Sequence, residues 1–477
     1  MIWILFYFSI MMSDVFSGFL FIFSHPLLLF SLCVIIGWGF GIFTGMFPGI
    51  HVNNVAAVLV GASPLLYAAG LSPLLVSTVI LSCAISHTFH NIVPAIFLGA
   101  PSEDTALAVL PGHRLLLAGE GYAAVRLSAL SSLGSVFFSP VIAVPVAVFL
   151  YYYYPVLEPH MGFFLLALSL IILLSEKKLP KIIRSTIVFL ASGFLGMLAF
   201  RLDGSLNPLL FSSSASVLMP LLSGLFGVPQ LVVSLSENSV IPNVRERSDD
   251  FPGSSLIKNT AIGTIAGAGV SWIPGISSSV AAILAGIFTG RRYPEPNPLE
   301  NEIKESASDL AQQKTRYSEL KMLEEASAKE FIIVISAINT ANAIFGLLAF
   351  FIIQKSRSGA VISIRDLLFA AGMTDMTFDI FLLFYAVIFL TGFLSYFSTL
   401  KTGVYLPQLL QKMNYRLISF FVLLLLCGLT ILMTGSFGFI LFIASGLIGF
   451  LPYVLNTRKS NLMGVILFPV MLYFLGF

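Results

Sequence analysis

Two stretches of similar sequence decide the fold, GIFTGMFPGIHVNNVAAVLVG at Gly41–Gly61 and GAGVSWIPGISSSVAAILAG at Gly267–Gly286. In each stretch a glycine stands seven residues before Pro-Gly-Ile, and polar residues, Val-Ala-Ala and a final glycine follow. A single gap after Pro-Gly-Ile brings the two copies into register. Because such a repeat within one chain indicates a gene duplication, we predict a protein built from two related halves.

The composition around the two stretches is that of a membrane protein. Hydrophobic residues make up 57% of the 477 residues and charged residues only 10%, whereas an average soluble domain carries about 25% charged residues. Of the 48 formal charges, 16 lie in 291–330, which we interpret as a solvated helical connector. The net charge of +2 gives no indication of nucleic-acid binding, and the three cysteines fit no metal or redox motif.

A helix needs about 20 apolar residues to cross a bilayer, and by this rule the chain holds roughly 10 to 13 membrane elements. The apolar runs are Leu27–Phe47, Pro73–Leu98, Leu127–Tyr154, Met161–Ser175, Ser185–Phe200, Ala215–Leu235, Thr260–Thr289 (long enough for two half-helices), Phe331–Ile353, Ile380–Phe397, Leu417–Met433, Phe437–Tyr453 and Leu462–Phe477. We therefore predict an all-α, multi-pass protein of the cell membrane, with two repeats that we expect to be inverted.

The predicted division of the chain follows from the duplication. We assign an N-terminal apolar segment to 1–26, the first half to 27–235, a polar connector to 236–255 and the second half to 256–477, which includes the charged connector 291–330.

The Pro-Gly pair in each stretch predicts a broken or re-entrant helix. Proline lacks a backbone N–H donor, and glycine adopts dihedral angles that other residues avoid. Lipid cannot satisfy the backbone groups that a break leaves unpaired, so the break must face protein, water or a solute. Broken helices at matching places in two halves are typical of transporter binding sites.

Polar residues just after each break would lie in the first turn of a half-helix, whose free N–H groups and partial positive charge suit an anion. A second, weaker correspondence joins Ser86–Pro101 to Ser336–Phe351, each of which has polar residues that include asparagine at the head of an apolar run. Asn91 follows Pro48 by 43 residues and Asn342 follows Pro274 by 68. If the halves have opposite topology, these helices cross near the shared centre. The residues that we predict to bind substrate are Pro48, Gly49, His51, Asn53, Asn54, His90, Asn91, Pro274, Gly275, Ser277, Ser278, Ser279, Asn339 and Asn342.

Several polar side chains have a second interpretation. His51 either contacts an anion or a proton, or it caps the half-helix. His87 and His90 are three residues apart on one helical face, which favours a polar face towards a cavity over a metal site, because no third ligand is evident. Glu103 and Asp104 are expected to stabilise the start of a helix, and Arg114 either holds an anion or lies among lipid headgroups.

A third stretch, GAPSEDTALAVLPGHRLLLAGEGYAAVRLSALSSLGS at Gly99–Ser135, completes a resemblance to a known family. In the order and spacing of these motifs, the chain resembles the large permease subunit of tripartite tricarboxylate transporters over Leu27–Val148 and Ser254–Phe350. The first copy differs from the family pattern, since His-Val-Asn-Asn stands where small residues and threonine are usual.

The resemblance implies a secondary permease for small organic anions of the carboxylate class, driven by a sodium or proton gradient and using no other cofactor. It also implies a small four-span membrane subunit and an extracytoplasmic solute-binding protein as partners, in addition to the membrane lipid. The chain shows no arrangement of nucleophile and base and no phosphate-binding Gly-x-x-x-x-Gly-Lys loop, so we expect no enzymatic activity and no metal.

Two alternatives stay open. The unusual His-Val-Asn-Asn run is also compatible with a translocase for a polyprenyl phosphate, whose phosphate would occupy the same paired half-helix ends. A membrane enzyme acting on a lipid, with His51 or the His87/His90 pair as base, needs a partner carboxylate close by.

Overall fold

The computed structural model describes residues 26–47, 51–100, 104–174, 176, 178–209, 217–236, 251–274, 276–289, 310–355, 358–370, 372–373, 377–410 and 415–477. No β-strand occurs among these residues. Their α-helices are α1 (Pro26–Met46), α2 (Val52–Gly61), α3 (Ser63–Ala68), α4 (Pro73–His90), α5 (Ile92–Phe97), α6 (Val109–Leu117), α7 (Gly121–Leu157), α8 (Met161–Leu174), α9 (Leu179–Arg201), α10 (Leu218–Leu222), α11 (Val228–Ser236), α12 (Gly253–Val270), α13 (Ser278–Phe288), α14 (Leu310–Ile353), α15 (Gly359–Ala370), α16 (Phe378–Leu410), α17 (Tyr415–Gly449), α18 (Leu451–Leu455) and α19 (Gly464–Leu475).

The helices have the lengths and surfaces of membrane-spanning elements. Seven helical stretches of the described chain are long and apolar enough to cross a bilayer, and four shorter apolar helices accompany them. The outer helices expose large apolar side chains, such as Phe137, Val141 and Val144 of α7, whereas α4 and most of α14 are buried inside the bundle. Apolar surface that faces outwards suits lipid, and the predicted all-α, multi-pass membrane fold is confirmed.

One predicted break lies inside a helix that is otherwise continuous. The sequence predicts two elements, Leu417–Met433 and Phe437–Tyr453, and the structure separates them at Gly435, where φ is 73° and ψ is −168°. This conformation favours glycine. A side chain at Gly435 would also collide with the backbone carbonyl of Asn207, so both the dihedral angles and the packing require glycine.

Glycines allow α1 to pack closely against α4 in a parallel direction. A Cβ atom added at Gly37 would lie 2.7 Å from Cβ of Ser82, and one added at Gly41 would lie 2.6 Å from the carbonyl oxygen of Cys83. A Cβ atom added at Gly45, one turn further, would lie 2.7 Å from Cβ of His90. Contacts that advance together along both helices mean that α1 and α4 run in the same direction.

The helix before the second Pro-Gly pair packs in the same way. An added Cβ atom at Gly263 would lie 2.6 Å from the carbonyl oxygen of Val334, and one at Gly267 would lie 2.7 Å from that of Ile338. Therefore α12 and α14 also run in parallel. Since parallel helices begin at the same side of the bundle, the chain must return between them, and each Pro-Gly pair falls in the part of the sequence between the two parallel helices.

The packing matches the two copies in a different register from the sequence comparison. Gly41 lies against Ser86, and Gly267, its counterpart, lies against Ala341. Ser86 thus corresponds to Ala341, whereas the sequence comparison joins it to Ser336. The sequence comparison follows polar residues, but the helices are held in register by the small residues that meet at their interface.

Each copy is completed by a helix that packs on the other copy. Helix α7 runs along α14, where Ser131 Oγ donates to the carbonyl oxygen of Ile333 at 2.6 Å and Ser135 Oγ to that of Ala337 at 3.2 Å. The advance of these bonds along both helices shows that α7 and α14 are parallel.

The counterpart of α7 is α16, which runs along α4. Thr391 Oγ1 donates to Ser82 Oγ at 2.9 Å, and Ser398 Oγ lies 2.8 Å from His90 Nε2. Helices α4 and α16 are therefore parallel. The third long helix of each copy, α7 in the first and α16 in the second, packs on a helix of the other copy.

The direction of α7 relative to α16 fixes the relation between the copies. An added Cβ atom at Gly392 would lie 3.2 Å from Val136, and one at Gly403 would lie 2.8 Å from Val125, so these contacts advance in opposite directions. Helix α7 is parallel to α14, and α16 is parallel to α4. Because α7 and α16 are antiparallel, α4 and α14 are antiparallel too. The two units are inverted with respect to each other, as the sequence predicts.

The remaining helices form a second region of the protein. There α9 packs on α19, and α17 packs on α10 and α11. The boundaries 27–235 and 256–477 stay predictions, since the inverted units themselves end at α7 and α16. Residues 1–25, 237–250 and 290–309 of the predicted terminal segment and connectors lie outside the described residues.

Candidate binding site

The residues on either side of the two breaks form the candidate site. Pro48, Gly49 and Gly275 lie outside the described residues. Pro274 is half-buried and precedes Ser277, which adopts an extended conformation and caps α13, its Oγ accepting from Val280 N at 3.5 Å. A serine at this position satisfies one of the N–H groups that a helix start leaves unpaired, which explains why α13 begins here.

Asp104 reaches α13 from the other copy. The backbone N–H of Ser278 donates to Asp104 Oδ1 at 3.2 Å, and Ser279 Oγ donates to the backbone oxygen of Asp104 at 3.2 Å. The carboxylate thus lies at the positive end of the α13 dipole. Asp104 does stabilise a helix start, but the helix belongs to the second Pro-Gly stretch and lies 174 residues further along the chain.

His51 connects the first break to the same place. Its ring lies 4.9 Å from the ring of His87 in an edge-on arrangement, and its Nδ1 accepts from the backbone N–H of Asn53 at 3.3 Å. Asp104, which bonds to the start of α13 in the second copy, is near enough to His51 for its charge to influence the imidazole.

His87 is the residue of this group that the predicted site left out. Its Nδ1 lies 3.0 Å from Thr44 Oγ1, and Thr44 Oγ1 itself donates to the carbonyl oxygen of Gly41 at 3.3 Å. His87 Nδ1 and Thr44 Oγ1 therefore share one hydrogen bond, whose donor depends on the tautomer of the ring.

Two buried polar atoms at the site have no hydrogen-bond partner within the described part of the chain. They are Nε2 of His87, a residue only 4% exposed, and Oγ of Ser278, which is fully buried. Buried polar atoms without partners are rare in native proteins. One lies in each copy, and both are available to a small polar ligand.

His90 is bound on both sides by the protein itself. Its Nδ1 donates to the carbonyl oxygen of Ser86 at 2.8 Å, and its Nε2 accepts from Ser398 Oγ at 2.8 Å. The indole N–H of Trp38 donates to the same serine at 3.3 Å. His90 therefore ties α1, α4 and α16 together, while His87, three residues earlier, faces the break.

The predicted asparagines meet where α4 and α14 cross. Asn339 Nδ2 donates to Asn91 Oδ1 at 3.1 Å and to the carbonyl oxygen of Thr88 at 3.3 Å, and the hydroxyls of Thr88 and Thr340 lie 3.2 Å apart. These bonds hold the crossing of the two central helices, which the sequence analysis expected at the shared centre.

The other predicted residues lie around this centre. Asn342 is half-buried on α14, Asn53 is exposed at the start of α2 next to Gly359, and Asn54 belongs to α2, with its side chain outside the described part. Over the ranges that the structure describes, no three His, Cys, Asp or Glu side chains group closely enough to hold a metal ion.

Comparison with known proteins extends the match over most of the chain. A family model described as the tripartite tricarboxylate transporter TctA family matches residues 32–464. The uncharacterized protein MJ1079 of Methanocaldococcus jannaschii is 27% identical over 456 residues, which cover 93% of this chain and 98% of that protein. No solved structure matches the chain. The family match includes both Pro-Gly stretches and every predicted site residue.

Proposed function

Since the chain belongs to the tripartite tricarboxylate transporter TctA family, we propose that it is a permease that carries a small organic anion of the carboxylate class across the cell membrane. The observation that carries this proposal is the pair of buried atoms without partners in the described chain, His87 Nε2 and Ser278 Oγ. His87 lies beside His51, which follows the first Pro-Gly pair, and Ser278 begins α13 after the second. Inverted-repeat transporters bind their substrates at such paired broken helices.

The chemistry of the pair suits a carboxylate. Ser278 Oγ is a hydroxyl donor at the start of α13, where the helix dipole favours negative charge. His87 Nε2 accepts from a substrate hydroxyl when the ring is neutral and donates to a carboxylate when the ring is protonated. Hydroxylated and multiply charged carboxylates carry the donor and acceptor groups that both atoms need.

Uptake into liposomes tests this function. The purified protein is reconstituted and given labelled citrate, succinate, inorganic phosphate or a polyprenyl phosphate. We expect gradient-dependent uptake of a carboxylate. Transfer of the polyprenyl phosphate alone would instead identify a lipid-carrier translocase, and no response to any of the four would refute both proposals.

Replacement of His87 by alanine is expected to weaken carboxylate binding by about 10- to 100-fold, because a hydrogen bond to a charged group contributes about 1.5–3 kcal/mol and each 1.4 kcal/mol is about tenfold. Isothermal titration with the transported carboxylate measures the change. His160→Ala is the matched control, since His160 is exposed and bonds only locally to Val156. Equal affinities in both variants would remove His87 from the site.

We further propose that the permease works with a small membrane subunit and an extracytoplasmic solute-binding protein. The proposal is supported by the tripartite systems that the matched family is named for. Addition of the solute-binding protein to the outer face of the liposomes is expected to lower the substrate concentration needed for half-maximal uptake. Unchanged uptake over the full concentration range would count against a tripartite system.

A further inference from the structure

The turn between α18 and α19 carries buried hydrogen-bond donors that the candidate binding site does not use. Helix α18 is followed by Asn456, whose φ of 49° is left-handed, and a short 3₁₀ helix at Lys459–Met463 leads into α19. The backbone N–H of Asn461 donates to the carbonyl oxygen of Arg458 at 3.2 Å. The backbone of residues 457–461 therefore folds into one compact turn.

Two polar side-chain atoms of this turn are buried and have no hydrogen-bond partner in the part of the chain that the structure describes. They are Oγ1 of Thr457 and Nδ2 of Asn461, a residue only 1% exposed. On α6, Nη1 of Arg114 is also buried without such a partner there, since Glu324 Oε2 lies 3.9 Å away, beyond hydrogen-bond distance. All three atoms can donate a hydrogen bond, and buried donors are costly to leave unpaired. They suit a ligand with several acceptor oxygens.

The turn also brings positive charges together. Lys459 stands between Thr457 and Asn461 in the sequence, and its Nζ lies 4.5 Å from the ring centre of Tyr453. Arg114 is near enough to Lys459 for its charge to influence the ammonium group, so α6 lies beside the turn. Like charges in a partly buried place repel each other, and an anion between them offsets that repulsion.

The surroundings of the turn are those of a bilayer surface. Arg458 Nε lies 3.2 Å from Glu176 Oε1, and this ion pair holds the start of the basic segment EKKLPKIIR at 176–184 beside the turn. Val454, just before the turn, and Leu179, just after Glu176, are 79% and 68% exposed. Basic pockets between membrane helices bind anionic lipid headgroups, and apolar side chains beside such a pocket suit the acyl chains of the same lipid.

We propose that this turn and Arg114 form a binding site for a phosphate group, which belongs either to an anionic phospholipid headgroup or to a free phosphate. Thr457 and Asn461 donate to the phosphate oxygens, and Lys459 and Arg114 balance the negative charge. A phosphate suits these groups better than a carboxylate, because it offers more acceptor oxygens to donors on different elements. The site lies on elements other than the two Pro-Gly breaks and does not depend on which solute is transported.

Stabilisation of the delipidated protein in detergent tests the site. The midpoint of thermal unfolding is measured against increasing phosphatidylglycerol, phosphatidylcholine or inorganic phosphate, and native mass spectrometry detects the bound lipid. We expect phosphatidylglycerol to raise the midpoint at concentrations where phosphatidylcholine, whose headgroup has no net charge, does not. If inorganic phosphate raises the midpoint and phosphatidylglycerol does not, the ligand of the site is a free phosphate.

Two replacements separate a built site from general attraction to positive charge. Arg114→Gln is expected to weaken binding by about tenfold or more, because a hydrogen bond to a charged group is lost. Thr457→Val keeps the shape and charge of the turn and removes only a donor, so we expect binding about threefold weaker or more. Arg201→Gln is the matched control, because Arg201 is an exposed arginine at the other end of α9, and we expect it to bind as the wild type does.

The proposal is overturned if neither phosphatidylglycerol nor inorganic phosphate stabilises the wild type. It is also overturned if Arg114→Gln and Arg201→Gln lower the affinity equally, since the ligand would then respond to surface charge in general. If Arg114→Gln does not fold, Thr457→Val decides the question, and unchanged affinity in that variant excludes the site.

Discussion

Gly41→Ala is expected to destabilise the folded protein by about 1–3 kcal/mol, the usual cost of forcing an extra carbon into a well-packed contact. The added Cβ atom would lie 2.6 Å from the carbonyl oxygen of Cys83 and would also collide with Ser86. A backbone oxygen cannot turn aside, so α1 must move away from α4. That movement also shifts His87, which bonds to Thr44 of α1, and we expect weaker transport as well.

The same helix supplies the control. Gly39 has no atom within 4 Å of an added Cβ, so Gly39→Ala gains helix propensity of up to about 1 kcal/mol without a collision. The second copy offers an equivalent pair: Gly267→Ala would place its Cβ 2.6 Å from Ala341, while Gly269 has open space. Thermal unfolding in detergent measures all four variants, and equal midpoints within each pair would contradict close packing of the repeat helices.

These glycines also show how much of the fold the sequence could predict. A glycine stands at the same distance before Pro-Gly-Ile in both copies. This recurrence helped to predict the duplication, and the Pro-Gly pairs predicted the broken helices. The register of α4 against α14 was harder to predict. Small residues decide it, and in a chain with many alanines and serines they are less distinctive than the asparagines that the sequence comparison followed.

The candidate site could be predicted only in part. Ser277, Ser278 and His51 were within reach because they directly follow the Pro-Gly pairs. Asp104 was not, since the helix that it caps lies 174 residues away and no local pattern reports such a contact. For His87 and His90 the spacing predicts a shared face. Only the neighbours of each ring determine that His90 is fully bonded, whereas His87 Nε2 has no partner in the described part of the chain.

Lys329→Ala is expected to cost about 3–5 kcal/mol, the largest loss of stability that we predict for a single replacement. Lys329 of α14 forms an ion pair with Glu120, which precedes α7, and both side chains are about nine-tenths buried. Removal of the lysine leaves the Glu120 carboxylate without its counter-charge, away from water and at the interface between the two inverted units.

A second ion pair between the same two elements is the matched control. Lys355 lies 3.0 Å from Glu158 beyond the other ends of α14 and α7, with side chains 49% and 39% exposed. Exposed pairs contribute about 0–1 kcal/mol, because water and salt replace the lost partner. Lys355→Ala is therefore expected to shift the midpoint of thermal unfolding only slightly, although it removes the same charge from the same helix pair.

The double replacement Glu120→Gln/Lys329→Met separates burial of a charge from loss of packing. It removes both charges and keeps side chains of similar size, so it is expected to recover most of the stability that Lys329→Ala loses. If the double variant were as unstable as Lys329→Ala, the loss would come from packing between α7 and α14 rather than from an unpaired carboxylate. Recovery would mean that the charged pair is replaceable for stability.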